Sequence, residues 1–305
     1  MKNAIKVLCF TLAFIIVGAS AFFFYIKWSK SDFVTVDGTE KGTVMITGYS
    51  GESKDVKIPS KIRGKKVTQI DTLAFENSDI TSIDIGNNVT YIGKSAFRGC
   101  KSLKTVKLGN SILNIDEGCF NDCSSLEEIV LPKSLEKLGG SPFAGCTALK
   151  KVEVEDGGNF AVQDDVLFSS DMKTLYFALP YADFEKYVCP ETVETINSLA
   201  FYECKKLTDF TFSNKVKVVP QGIFAGCSSL KQFTVPESVT KIEAAIIVQS
   251  AVKTVTIPSS VTEISKSAFI QSEGENDKDL VIRTTSGSKA ELFAKENEIK
   301  VELIK

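Results

Sequence analysis

The strongest constraint on this 305-residue chain is a pattern that returns about every 23 residues. An aromatic landmark falls at Phe75, Phe97, Phe120, Phe143, Phe201, Phe224 and Phe269, with Ile247 in its place once. The successive intervals are 22, 23, 23, 58, 23, 23 and 22 residues. Within each unit an apolar Leu-x-x-Val-x-Leu spacing recurs: Leu103, Val106 and Leu108 correspond to Leu126, Ile129 and Leu131, and later to Leu230, Phe233 and Val235. A strand with this spacing sends alternate apolar side chains to one side. Stacking such strands roughly 4.8 Å apart lets each coil bury the face its neighbour exposes, so a fixed period of this length marks a solenoid.

Other positions keep the same phase. Val89 and Ile92 recur as Val193 and Ile196, Val239 and Ile242, and Val261 and Ile264, which supplies a second apolar wall. Pro132, Pro236 and Pro258 follow their strands at equivalent positions, where a missing amide ends the ladder. The 58-residue interval equals one period plus 35 residues, so the array carries a longer coil at 157–191 and is not broken into two domains. The expected fold is a leucine-rich-repeat-like solenoid, mostly β with short helical turns, preceded by one N-terminal transmembrane helix. A cap and first coil are expected over 33–65, repeats over 66–272 and a C-terminal cap over 273–305, since a solenoid must cover its end coils. Alternating apolar residues from Phe33 to Val36 and from Thr43 to Thr47, around Asp37-Gly38, predict a hairpin at the first cap. The stretch from Ser288 to Asn297 predicts a helix with Ser288 as N-cap and Ala290, Leu292, Phe293 and Ala294 on its buried side.

The string Ile92-Gly93, Ala96-Phe97, Gly99-Cys100, Ser102-Leu103-Lys104, Val106 and Leu108, repeated in register from about Lys54 to Lys305, closely resembles the BspA-type leucine-rich repeats of bacterial surface proteins. The resemblance implies a protein at the cell surface that binds proteins, including host matrix components and other cells. Two units depart from the pattern: Ser78-Asp79 replaces Gly-Cys in the first, and Ala245-Ile246-Ile247 replaces Ala-Phe late in the array.

Val7 to Ile26 is a 20-residue run without a charge, between Lys6 and Lys27. That is the length of a helix able to cross a bilayer core of roughly 30 Å. Tyr25 and Trp28 stand where aromatic rings meet the headgroups, and Lys2 and Lys6 form a short positive start. Residues 1–6 then read as a cytoplasmic tail, 7–26 as a signal-anchor and 27–32 as a linker. The expected location is the cell membrane, single-pass, with the repeats extracellular. Ala19-Ser20-Ala21 offers an Ala-x-Ala-like cleavage site, and cleavage there would make the protein secreted.

Composition removes several functions. Thirty-six basic residues against 38 acidic ones leave a net charge of -2, without the basic excess that a phosphate backbone requires, so no nucleic-acid partner is expected. There is no histidine, which excludes His-based triads and the commonest metal ligand. Cys100, Cys123, Cys146, Cys204 and Cys227 each lie three residues after a landmark and read as one buried stack of small apolar groups. Ser-x-x-Lys occurs at 170–173, but the same spacing at 228–231 is simply repeat consensus. Asp164 and Asp165 read as a solvated turn. Neither an enzyme nor a cofactor is expected.

What remains is surface. Side chains between the inward positions of the main strand stand in rows that include Lys104 and Lys107, then Glu127 and Glu128, then Lys150 and Lys151. The rows are near neutral and lack aromatic anchors. The longer coil contains them, namely Phe160, Phe168, Tyr176, Tyr181, Phe184 and Tyr187, of which some must pack within the coil itself and the others are available to anchor a partner. The expected partner is therefore a protein or cell-surface polymer held by the strand rows, the aromatic coil or both. An envelope spacer without a specific ligand is the alternative, with an extracellular hydrolase a distant third.

Overall fold

A computed structural model describes residues 31–272, 275–277 and 279–305. The segment 7–26 lies outside them. Among the described residues no helix is long and apolar enough to cross a membrane. The chain winds into a β-solenoid of about 11 turns. Each regular coil has three sides. One is a main strand, paired in parallel with its neighbours through Asp55–Lys57, Ser82–Asp84, Thr105–Lys107, Glu128–Leu131 and Lys151–Val154. The second is a short strand, such as Tyr91–Ile92 beside Asn114–Ile115 beside Lys137–Leu138. The third is a row of turns carrying the landmark aromatics.

The short helical turns expected from the repeat are tight turns instead, and the helix described in the chain is Lys289–Glu296. The reason is backbone geometry. The residues two before and two after every landmark up to Ile247 have positive φ: Ser95 (53°) and Gly99 (70°) around Phe97, Gly118 (61°) and Asp122 (59°) around Phe120, Ala245 (58°) and Gln249 (54°) around Ile247. A left-handed residue on either side of the landmark stops a right-handed helix from propagating and returns the chain toward the next strand. The turns then bond from coil to coil. The amides of Ser95, Phe97 and Gly99 donate to the carbonyls of Glu117, Cys119 and Asn121 at 3.0, 2.8 and 2.7 Å.

Stacking at this spacing puts the landmark rings face to face. Phe75, Phe97, Phe120 and Phe143 follow one another with centroids 5.0, 5.3 and 5.8 Å apart and planes within 20° of parallel. All are buried. Beside them the cysteine thiols complete the buried polar pairing: Cys100, Cys123, Cys146 and Cys227 each donate to the landmark carbonyl of the preceding coil at 3.0 to 3.2 Å.

Residues 157–191 interrupt this regularity with an antiparallel meander of Phe160–Gln163, Val166–Ser169 and Thr174–Ala178. Asp164 and Asp165, both at positive φ (48° and 56°), form its first two-residue turn, as the hand of a tight hairpin demands. The meander partitions the core. Leu167 joins an apolar cluster running from Val44 to Leu179, whereas Val166 and Phe168 join a second one running to Ile299. A further discontinuity follows: Asp209–Thr211 and Gln232–Thr234 belong to separate sheets, although the turn row between those coils stays bonded. Phe210, Phe212, Phe224 and Phe233 pack ring against ring there, with centroids 4.8 to 6.2 Å apart, and their bulk spreads the strands.

The ends are covered differently. Phe33–Asp37 pairs antiparallel with Thr43–Tyr49, which continues in parallel into Lys65–Ile70. At the other end the hydroxyl of Ser288 accepts from the Glu291 amide (3.1 Å) and starts the helix, which buries Ala290, Phe293 and Ala294. Leu292, expected on that buried side, is 51% exposed.

The left-handed positions predict a stability effect. Gln249 is exposed, yet it holds a backbone conformation that costs an L-residue roughly 1–2 kcal/mol, against roughly 0.5–1 kcal/mol for the extra unfolded freedom of glycine. Gln249→Gly is therefore expected to stabilise the protein by up to about 1 kcal/mol in urea unfolding. A clear loss of stability would contradict the role assigned to this turn.

Candidate functional site

The face most open to a partner is the outer side of the main-strand sheet from Asp55 to Val154. Strand geometry dictates its composition, since Val106, Ile129 and Val152 point inward and their neighbours point out. Lys104, Lys107, Glu127, Glu128, Lys150 and Lys151 are all exposed on it. The register lines them up in rows along the stacking axis. Lys104, Glu127 and Lys150 form one row through amide-to-carbonyl bonds of 3.3 and 2.9 Å, and Thr105, Glu128 and Lys151 form the next. Charge alternates along the first row and opposite charges adjoin at Glu128 and Lys151 in the second, so neighbours offset one another: Lys107 pairs with Asp84 of the preceding coil at 3.3 Å, and Lys151 pairs with Glu153 in its own strand. Exposed pairs of this kind contribute little stability, and they leave the face patterned but nearly neutral. A shallow groove of about 640 Å³ runs along it past Lys57, Asp84, Lys107, Glu128 and Val130.

Val130 is an exposed apolar residue on this face that the reading of the sequence did not include. It is 43% exposed beside Glu153. Val188, at 69% exposed on the strand Lys186–Val188, is a second. The signal was present as an apolar residue at an outward strand position, where the equivalent coil has Glu153. It was hidden by the continuous apolar run Ile129-Val130-Leu131.

The aromatic coil needs correction. Phe160, Phe168 and Tyr187 are buried and are core residues, not anchors for a partner. Phe160 packs on Tyr176 with ring centroids 5.1 Å apart, and Tyr187 lies 5.2 Å from Phe201 and 5.9 Å from Phe210. Tyr176 and Tyr181 are half-buried against the first core cluster and Phe184 against the second. The reason is the meander itself. A wall between two apolar cores needs bulky residues on both faces, and that requirement consumes the rings. The meander and the charged rows consequently do not form one site.

Among the described residues no group of three or more His, Cys, Asp or Glu is placed to hold a metal ion. Ser169, Asp171 and Lys173, around the Ser-x-x-Lys spacing, form a turn in which the Ser169 hydroxyl donates to the Asp171 carboxylate at 2.6 Å. That carboxyl is held below its ordinary range by the Ser169 hydroxyl and the Lys173 amide. The described cysteines are free thiols and all are buried. Burial pushes the Cys189 thiol up to about 11 and the Cys227 thiol up to about 12.

The matching family is decided by the repeats. The profile of the BspA type leucine rich repeat region matches residues 68–188 and 177–275, in six copies. The chain belongs to that family. This BspA-type chain is also similar to a leucine-rich repeat protein from Eubacterium ventriosum, at 19% identity and TM-score 0.61, over 84% of this chain and 76% of that one. The pneumococcal vaccine antigen PcpA is similar at 18% identity and TM-score 0.58, over 90% of this chain and 100% of that one. At these identities the likeness shows the fold alone. No curated protein matches the chain.

The thiols supply a test of the core. At pH 8 the Cys189 thiol, titrating at about 11, is ionised to only about one part in a thousand, and the thiolate is the nucleophile, so iodoacetamide should leave Cys189 and Cys227 unmodified in the native protein, spare the other described thiols because they are buried from the reagent, and alkylate all of them in urea. Because the folded values lie above the unfolded value of about 8.5, the stability these thiols lend is complete below that pH and declines as pH rises through 9 toward 11 and 12. Rapid native labelling at pH 8, read by mass spectrometry, would contradict this burial.

Proposed function

We propose that the chain is a non-enzymatic, membrane-anchored extracellular protein of adhesion type. Its repeats hold out the main-strand face between Asp55 and Val154 to a protein or cell-surface polymer. One observation carries the reading. Five parallel strands in register present rows of exposed side chains, and the fold uses none of those side chains in its core. A row that alternates lysine and carboxylate selects partners by pattern and spacing, since its bulk charge is close to zero. Val130 adds a desolvatable apolar contact within those rows, the kind of centre around which binding energy concentrates. Membership of the BspA-type family supports a binding role, and the uncharged run from Val7 to Ile26 supports the tether.

A soluble Phe33–Lys305 fragment is expected to capture a specific component from envelope or host-matrix extracts. Reversing Glu128 and Lys151 together with Val130→Ser is expected to weaken that capture at least tenfold without changing the unfolding midpoint. Capture that survives these changes would place the contact elsewhere, and the absence of any partner would favour a spacer. Protease treatment of intact cells should remove the repeats while leaving a membrane-protected stub. A protected repeat body would refute export.

A further inference from the structure

The turn row is open between the coil of Phe143 and the coil of Phe201. In the regular array three amides of one turn donate to three carbonyls of the next: Gly118, Phe120 and Asp122 to Gly140, Pro142 and Ala144, and likewise Leu199, Phe201 and Glu203 to Gln221, Ile223 and Ala225. The equivalent amides of Ser141, Phe143 and Gly145 have no acceptor among the described residues. On the far side, of the equivalent carbonyls of Ser198, Ala200 and Tyr202, Ala200 alone is met, by the Ala178 amide at 2.7 Å. Two residues further along, where the next donor would face Tyr202, stands Pro180, which has no N–H.

Chain length produces the gap. Leu175 and Tyr187 align with Ile196 and Phe210, so the inserted coil covers in 12 residues a corner that its neighbour covers in 14. It therefore cuts behind the turn row and leaves a cleft of about 260 Å³. Phe177 to Pro180 floor the cleft, and the turns at Phe143–Thr147 and Tyr202–Lys206 wall it. Two side chains bear the mark of the missing rung. The hydroxyl of Ser141, a residue only 7% exposed and lining the cleft, has no hydrogen-bond partner. Cys204, also in the lining, lacks the bond from thiol to preceding landmark carbonyl that Cys100, Cys123, Cys146 and Cys227 make.

Buried backbone and hydroxyl groups are nearly always satisfied, and here the unsatisfied ones form two facing edges with the alternation of a parallel ladder. We propose that this junction cleft binds an extended polypeptide segment of a partner protein, which occupies the empty rung. The segment accepts from the Phe143 and Gly145 amides, donates to the Tyr202 carbonyl and pairs with the Ser141 hydroxyl. Affinity comes from main-chain pairing, as in strand addition to a sheet edge. Because Phe177 already fills the landmark position in the floor, inward side chains must be small, while Tyr202, 39% exposed at the rim, meets the outward ones. A glycan would satisfy some of the same groups with hydroxyls, but without the two-residue alternation. This site is separate from the main-strand face and does not require that face to bind.

The test is to pan a displayed library of random twelve-residue peptides on the purified full chain and then titrate the enriched peptides by fluorescence anisotropy. Ala182→Trp, which fills the cleft from its lining, is expected to weaken them at least tenfold at an unchanged unfolding midpoint. Methylating peptide nitrogens one at a time is expected to abolish binding at the nitrogen that donates to the Tyr202 carbonyl and to spare those that donate to nothing in the cleft. Ser141→Ala is expected to hold or raise the unfolding midpoint, because it removes an unsatisfied buried hydroxyl, yet to weaken the peptides at least threefold. It carries the test if the tryptophan variant misfolds. Reversing Glu128 and Lys151 should leave peptide binding intact, which separates this site from the strand face. The proposal is overturned if no peptide is enriched, if enriched peptides bind the variants as tightly as the parent, or if N-methylation is tolerated at every position.

Discussion

Every coil in this protein depends on backbone hydrogen bonds to the coil before and after it. A single 23-residue unit has two short strands and a tight turn, and none of these can satisfy all of its own amides and carbonyls. Left-handed residues on either side of the landmark aim the turn's amides along the stacking axis, and that same repeat distance brings Phe97 and Phe120 to 5.3 Å and the Cys123 thiol to the Phe97 carbonyl. Aromatic stack, thiol stack and charge rows are thus consequences of one translational ladder. The alternation of Lys104, Glu127 and Lys150 is the surface expression of it, because each side chain faces its counterpart one coil away.

Places where the ladder fails are where the molecule has something left to offer. The inserted meander replaces a regular turn with a partition between two cores, and the turn row loses a rung at Ser141, Phe143 and Gly145. Bulky rings at Phe210, Phe212 and Phe233 spread the strand walls one coil later, but there the turn row remains closed. The two discontinuities differ in kind. The first leaves backbone donors and acceptors unused at a cleft, whereas the second leaves none unused along its turn row. Family membership in the BspA-type repeats explains the scaffold, and the broken rung follows from the insertion at 157–191.

The repeat, its phase and the family were legible because they rest on positions that recur: Phe97, Cys100, Leu103, Val106 and Leu108 return in register as Phe120, Cys123, Leu126, Ile129 and Leu131. The turn conformation was less legible. Leu73, Leu199 and Gln249 hold left-handed geometry without being glycine or asparagine, since coil-to-coil bonding overrides local preference. The sequence did not tell which aromatics of 157–191 pack within the coil and which stand free. Composition alone could not reveal that a meander separating two cores would bury Phe160, Phe168 and Tyr187. Val130 escaped notice because an apolar residue between Ile129 and Leu131 reads as core until the strand's alternation is fixed. The cleft itself depends on a corner two residues short, a feature visible only once register is known.

Amide hydrogen exchange on the intact chain addresses the ladder and its missing rung together. Phe120 and Phe143 are equally buried by their side chains, at 0% and 1% exposure, but only the Phe120 amide has an acceptor in the next coil. Protection of Phe97, Phe120, Phe201 and Phe224 alongside fast exchange at Phe143 and Gly145 is the result this account requires. Equal protection at Phe143 and Phe120 would mean that the turn row is continuous through the insertion, and the account would be wrong.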